Sequence, residues 1–193
     1  ELRGAGNLLG PEQSGHIASV GYDLYCRLLE RAVRKMKHQP VPPDVDTQLD
    51  LGLDLRIPPA YIKAPKQRLE LYRRLARLQD DKHADELRRE VTDRFGKPPR
   101  EFDKMLTAAL VRARLARLGV VALMAAEDHL KLRVLSAQKT HKALSLGSKN
   151  FRVLDETTLA LPLRAGLENP EDQLRFLANL LQSLTRHGVF AQE

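Results

Sequence analysis

The sequence predicts an α+β protein, in which a helical hairpin or loop segment precedes a compact α+β domain with a small mixed or antiparallel sheet packed by helices. Two changes of pattern support this class. Apolar residues recur mostly at a spacing of three to four up to Leu118, which is the helical period, and at a spacing of two beyond Gly119, which is the strand period. A proline-rich break at residues 40–43 separates the opening segment from the domain.

The opening segment combines a glycine-rich loop with one helix. Four glycines and one proline between residues 4 and 15 predict a series of tight turns. Apolar side chains at helical spacing predict a helix from Tyr22 to about Lys37. The prolines that follow favour a stiff, extended connection. We therefore divide the chain into a segment at residues 1–39, a linker at 40–48 and a domain at 49–193.

The first half of the domain is predicted to contain one strand and three helices. Leucines alternate with polar residues over 49–57, which is typical of a half-buried strand. Amphipathic helices are expected over 66–79, 84–95 and 101–118, and Gly96 and Gly119 are natural stops for the second and third. The side chains expected on the inner face of the first helix are Leu69, Tyr72, Leu75, Ala76, Leu78 and Gln79.

The second half of the domain is predicted to form several strands and one helix. The strands are expected at residues 120–126, 130–135, 151–154 and 158–163, with a turn over 145–150. Asn169 followed by Pro170 has the pattern of a helix start, because the Asn side chain can accept a hydrogen bond from the first turn and Pro suits the first helical position. A final helix is therefore expected over 171–186.

Composition restricts the class of protein. Of the 193 residues, 42% are apolar, which allows a hydrophobic core, yet no apolar run approaches the roughly 18–20 residues of a membrane span. The single cysteine, Cys26, excludes a disulfide framework or a cysteine-based zinc site within one chain, and it fits a small buried side chain. We expect a cytoplasmic protein with no membrane partner.

The positive charge is concentrated in one stretch. The chain has a net charge of +7, and residues 62–120 alone contain 16 basic and 9 acidic side chains. Such a stretch fits a nucleic-acid face or a docking face for an acidic partner. It also fits a solvated helical surface with internal ion pairs, such as Glu70 with Arg74 and Glu90 with Arg94 at a spacing of four.

No pattern in the sequence predicts a catalytic, metal or nucleotide site. The glycine-rich loop lacks the Lys and Ser/Thr with which a phosphate-binding loop holds phosphate and magnesium. The six histidines are scattered, and none stands at ligand spacing from another. Ser14-Gly15-His16 is not flanked by the strand and helix of a serine hydrolase. We therefore expect no catalytic residue, no metal and no cofactor in this chain.

The first sixteen residues resemble a segment shared by RecG-type helicases and the bacterial transcription-repair coupling factor (Mfd) family. The resemblance lies in Glu1-Leu2-Arg3-Gly4-Ala5-Gly6-Asn7-Leu8-Leu9-Gly10-Pro11-Glu12-Gln13-Ser14-Gly15-His16. In those proteins this translocation motif follows the second motor lobe and couples ATP hydrolysis to stepping on duplex DNA. The resemblance implies that Arg3 and Gln13 are the coupling residues. A guanidinium and an amide on a glycine-hinged loop can exchange hydrogen-bond partners as motor lobes close.

The domain resembles the C-terminal domain of the coupling factor family. The resemblance extends over about residues 1–119 and is most specific in Glu90-Val91-Thr92-Asp93-Arg94-Phe95-Gly96-Lys97-Pro98-Pro99. It implies a regulatory, autoinhibitory domain that packs on a distant N-terminal module and masks the surface that recruits the excision-repair protein UvrA. The contact residues it implies are Glu90, Asp93 and Arg94, which share one helical face.

The resemblance therefore implies the C-terminal part of an ATP-dependent DNA translocase that removes stalled RNA polymerase in transcription-coupled repair. ATP and magnesium would bind in the parent motor, and duplex DNA, RNA polymerase and, indirectly, UvrA would be partners through the longer protein. The alternative from the residues alone is a self-standing basic nucleic-acid-binding module with residues 62–120 as its face.

Overall fold

The computed structural model describes residues 45–163 and 167–190, which lie in one compact unit, Pro43–Ala191. The glycine-rich loop and the helix predicted for the opening segment lie outside the described residues. Within these two ranges no helix is both long and apolar enough to cross a membrane.

Five helices and five strands make up the described part of the chain, which confirms the α+β class. The strands form one mixed sheet with the order β1-β2-β3-β5-β4. The pair β1 and β2 is parallel, and the other three neighbouring pairs are antiparallel. In chain order the elements are β1 (Gln48–Asp50), α1 (Pro65–Ala76), α2 (Asp81–Phe95), α3 (Arg100–Arg117), β2 (Val120–Ala125), β3 (His129–Val134), α4 (Ala137–Leu144), β4 (Arg152–Asp155), β5 (Thr158–Pro162) and α5 (Pro170–Arg186).

The core consists of two clusters of buried side chains. We call the first the sheet cluster, because it joins one face of the sheet to α4, α5 and the second half of α3. The second, the helix cluster, joins α1, α2 and the first half of α3. Phe102 and Leu115 of α3 are fully buried, one in each cluster. The long helix α3 therefore belongs to both halves of the domain.

Residues 45–57 also link the two clusters. Buried and exposed side chains alternate along this segment as the sequence predicts, but only Gln48–Asp50 pairs with β2. Gly52 has a φ of +67°, a left-handed conformation that interrupts a regular strand. Leu51 packs in the sheet cluster, and Ile57, whose backbone N–H donates to the Tyr72 hydroxyl at 2.8 Å, packs in the helix cluster.

Residues just before the predicted strand also pack against the domain. Thr47 is only 3% exposed, and its hydroxyl donates to the Val120 carbonyl at 2.6 Å. This bond holds the start of β1 against the start of β2. Residues 45–48, which the sequence places in the linker, thus make specific contacts with the domain.

The elements after Gly119 lie close to their predicted positions, and one helix is additional. The four strands after Gly119 begin and end within one residue of the predicted positions. The side chain of Asn169 accepts a hydrogen bond from the Asp172 N–H at 2.9 Å, which confirms the predicted start of the last helix. The short helix α4 was not predicted. Only three of its side chains are buried, and the Thr140 hydroxyl fixes it by donating to the Leu118 carbonyl at 2.8 Å.

The inner face of α1 differs from the prediction. Leu71 and Leu75 are the buried residues of this helix, whereas Leu69 is 50% exposed and Ala76 is also exposed. Tyr72, Leu75 and Leu78 do face the helix cluster as predicted. Leu71 takes the core position predicted for Leu69, because both fit an apolar stripe that includes Leu75 when the partner helices are unknown.

We expect Leu71→Ala to lower the free energy of unfolding by about 2–5 kcal/mol, because it leaves a cavity in the helix cluster. Leu69→Ala is the matched control on the same helix and should change it by less than about 0.5 kcal/mol. Urea unfolding of both variants measures the difference. Equal losses would show that Leu69 faces the core.

Candidate functional site

The candidate site lies on the exposed face of α2. The side chain of Asp80 starts this helix by accepting from the His83 N–H at 2.9 Å, and Gly96, with a φ of +80°, ends it. Ala84, Leu87 and Val91 face the helix cluster. The helical period consequently directs Glu90, Asp93 and Arg94 away from the core as one group.

Glu90 is the centre of an ion-pair network between α1 and α2. Arg74 of α1 donates to both of its carboxylate oxygens, at 2.6 and 2.7 Å, and Arg94 donates to one of them at 3.0 Å. The bidentate geometry is the strong form of an arginine–carboxylate pair. The hydrogen bonds from Arg74 and then from Arg94 lower the pKa of Glu90 to about 2. Glu90 therefore remains ionised over the whole physiological range.

An aromatic pair supports the end of the same face. The guanidinium of Arg94 lies 5.1 Å from the ring centroid of Phe95, a cation–π arrangement. The rings of Phe95 and Tyr61 meet edge to face, with centroids 6.2 Å apart. The Tyr61 hydroxyl donates to the Gly96 carbonyl at 2.8 Å, so the end of α2 is held from outside the helix.

Asp93 differs from its two neighbours. It is exposed and has no ion-pair partner among the residues that the structure describes. The structure therefore brings Glu90 and Arg94 into one internal network, beside which Asp93 presents a free carboxylate. Such an arrangement suits recognition of a charged partner, because the internal bonds fix Arg94 while Asp93 remains available.

Arg74 is the member of this group that sequence reasoning missed. Helical spacing pairs it with Glu70, whereas in the structure it spans two helices to reach Glu90. No spacing rule within one helix predicts this contact. Arg3 and Gln13, the residues predicted to couple hydrolysis to translocation, lie outside the described residues.

The basic stretch at 62–120 is extensively ion-paired. Arg114, whose side chain is only 9% exposed, pairs with Asp81 at 2.5 Å, and Arg88 pairs with Asp103 at 2.8 Å, so α2 and α3 are joined at two points. These contacts favour the salt-bridged surface over the nucleic-acid face. Further pairs that involve this stretch include Arg74–Glu90, Arg94–Glu90, Lys104–Glu171 and Arg112–Asp46.

Across residues 45–163 and 167–190, no group of three or more His, Cys, Asp or Glu side chains is arranged to hold a metal ion. A shallow, open hollow of about 400 Å³ lies beside the start of α5. Its lining includes the carboxylates of Asp54, Glu171 and Asp172 together with Arg175. The Asp54 carboxylate is bound by Arg56 at 2.7 Å, so the polar groups of the hollow are partly satisfied internally.

Comparison with known families identifies a domain in the middle of the chain. Residues 51–144 match the model of the TRCF domain. The chain is also similar to the crystal structure of the C-terminal domain of transcription-repair coupling factor, with a TM-score of 0.62 and 20% identity. That match covers 74% of this chain and 93% of the crystallised one, and it shows the fold.

The chain is also similar to curated relatives named transcription-repair-coupling factor. The protein of Mycobacterium bovis is 34% identical over 95% of this chain, and that of Bacillus subtilis is 34% identical over 69%. The factor of Myxococcus xanthus is 34% identical over 77% of the chain. The chain spans only 16%, 11% and 11% of the lengths of these three relatives, respectively.

We expect Arg74→Met to raise the pKa of Glu90 from about 2 toward its ordinary value, because the largest cause of the lowering is the hydrogen bonding from Arg74. Carboxyl-carbon NMR during an acid titration measures this change. Arg73→Met, on the exposed neighbouring position, is the control and should leave the pKa of Glu90 unchanged.

The Arg74–Glu90 ion pair contributes to the free energy of unfolding only in a defined pH range. Because folding lowers the pKa of Glu90, its contribution is present above about pH 4.5 and is lost as the pH falls toward 2. The effect should be below about 1 kcal/mol, since both side chains are 39% exposed. If the pKa of Glu90 is equal in wild type and Arg74→Met, the hydrogen bonds from Arg74 are not the main cause of its lowering.

Proposed function

This chain belongs to the transcription-repair-coupling factor family through its TRCF domain, and we propose that it is the C-terminal part of such a factor. The whole protein would be an ATP-dependent DNA translocase that removes stalled RNA polymerase and recruits excision repair. The similarity to curated coupling factors over up to 95% of the chain supports this assignment.

For residues 1–39 we propose a coupling role. The similarity to the Mycobacterium bovis factor covers enough of the chain to include most of this segment. The glycine-rich loop would let Arg3 and Gln13 exchange hydrogen-bond partners as the motor lobes of the longer protein close on ATP and magnesium. Nucleotide, duplex DNA and RNA polymerase would be bound mainly by other parts of that protein, in the cytoplasm.

For residues 49–193 we propose an autoinhibitory role, in which the face formed by Glu90, Asp93 and Arg94 covers the UvrA-binding module of the same protein. The observation that supports this is the fixed position of Arg94 beside the free carboxylate of Asp93. A fixed cation beside an available carboxylate would give a contact that is specific and yet reversible, because such charges contribute more to selectivity than to affinity.

We expect Asp93→Lys in the full-length protein to raise the affinity for UvrA at least about fivefold, because a reversed charge at this face would release the masked module. Binding to immobilised UvrA measures the effect. Asp85→Lys is the matched control, since Asp85 is an exposed carboxylate on the same helix. An equal rise in both variants, or no rise in Asp93→Lys, would refute the masking role.

We expect Arg3→Ala in the full-length protein to leave ATP hydrolysis within about twofold of wild type while abolishing translocation on duplex DNA. The reason is that the proposed role of Arg3 is to transmit the closure of the motor lobes, not to bind nucleotide. Triplex displacement and phosphate release, measured on the same preparation, separate the two activities. Joint loss of hydrolysis and translocation would contradict a pure coupling role.

A further inference from the structure

The sheet has one covered and one open face. Along β3, Leu130, Leu132 and Val134 are buried in the sheet cluster, while the alternating residues Lys131 and Arg133 are exposed. The residues that α3, α4 and α5 bury against the sheet belong to that same cluster. The face with Lys131 and Arg133 is therefore left uncovered by these helices, and we call it the open face.

The strand register places a third cation on the open face. Ala160 of β5 lies opposite Lys131 on one side and opposite Arg152 of edge strand β4 on the other. Since neighbouring strands are about 4.8 Å apart, the backbones at Lys131 and Arg152 are separated by about 10 Å. Arg133 follows two residues after Lys131 on the same side of β3. The three cations thus form a compact triangle.

Small residues lie between these long side chains. Ala122 is 1% exposed, Ala160 is 6% exposed and Thr158 is 8% exposed, although none of them is on the side of the sheet cluster. The register sets Arg133 next to both Ala122 and Thr158. The aliphatic part of Arg133 can therefore lie over small side chains, while Met124 lies opposite Lys131 on β2.

The cations on the open face are not neutralised within the domain. Among the described residues, no ion pair involves Lys131, Arg133 or Arg152, whereas in the helical half Arg88 pairs with Asp103 and Arg114 pairs with Asp81. Like charges on neighbouring strands are mildly destabilising. A group of three cations with no internal carboxylate partner is the arrangement that an external acidic surface would complement.

We propose that the open face docks an acidic protein surface. Charge complementarity favours an anionic partner, because the three cations have no ion-pair partner among the described residues. A nucleic acid fits less well, because the registered rows of this face contain no Phe, Tyr or Trp on which a base could stack.

This contact is separate from the α2 face. The α2 face presents a fixed Arg94 beside the free carboxylate of Asp93, whereas the proposed contact on the open face uses the three cations. The proposal therefore does not depend on the masking role proposed for Glu90, Asp93 and Arg94.

The test measures binding of a fluorescein-labelled oligoglutamate peptide to the full 193-residue chain by fluorescence anisotropy at low salt. We expect the double variant K131E/R152E to weaken binding about five- to tenfold, because it reverses two of the three cations. The matched control is K82E/R89E, which makes the same change of net charge at two exposed positions of α2. The control should change the affinity less than about twofold.

Two further measurements complete the test. Amide NMR of the wild type should show peptide-dependent shifts at residues 131, 133 and 152, and K131Q/R152Q should weaken binding to a smaller extent with an unchanged melting temperature. Equal losses in both reversed variants would show that only net charge matters and would overturn the proposal. Absence of binding by wild type, or stronger competition by a duplex DNA of equal charge at the same residues, would overturn it as well.

Discussion

Burial of α3 on two sides is the constraint on which the domain depends. Its first half closes the helix cluster around Phe102, and its second half supports the sheet through Val111 and Leu115. A helix with two buried faces cannot shift to improve one contact without weakening the other, because protein interiors are close-packed. The relative position of α2 and the sheet is therefore determined by packing along one rigid element.

Charged contacts then refine an arrangement that apolar burial has already established. Arg114 and Arg88 join α2 to α3, while Arg74 joins α1 to α2 through Glu90. Each exposed pair contributes little to stability, yet several pairs together define how one helix is oriented on another. Part of the basic charge of this region therefore has a structural role, because these arginines join neighbouring helices.

Local patterns predicted the elements well and the contacts between elements poorly. The period-two pattern beyond Gly119 located all four strands, and Asn169 with Pro170 located the start of α5, because both signals lie within a few residues of chain. The partner of Arg74 and the exposure of Leu69 depend on which helix lies opposite. The spacing of residues within one helix does not predict its neighbouring helix. Helix α4 was missed for a related reason, since its eight residues bury too few side chains to show a clear period.

The edge of the sheet has a consequence for how the protein behaves at high concentration. Strand β4 is exposed along its whole length and includes Val153 and Leu154, two large apolar side chains open to solvent. In general, a straight and regular edge strand is a template for intermolecular stacking into fibrils. The register shift between Val153 and Asp155 interrupts the ladder after only two residues, so an approaching strand finds no regular row of donors and acceptors. This irregularity within four residues therefore makes the β4 edge a poorer template for a strand of another molecule.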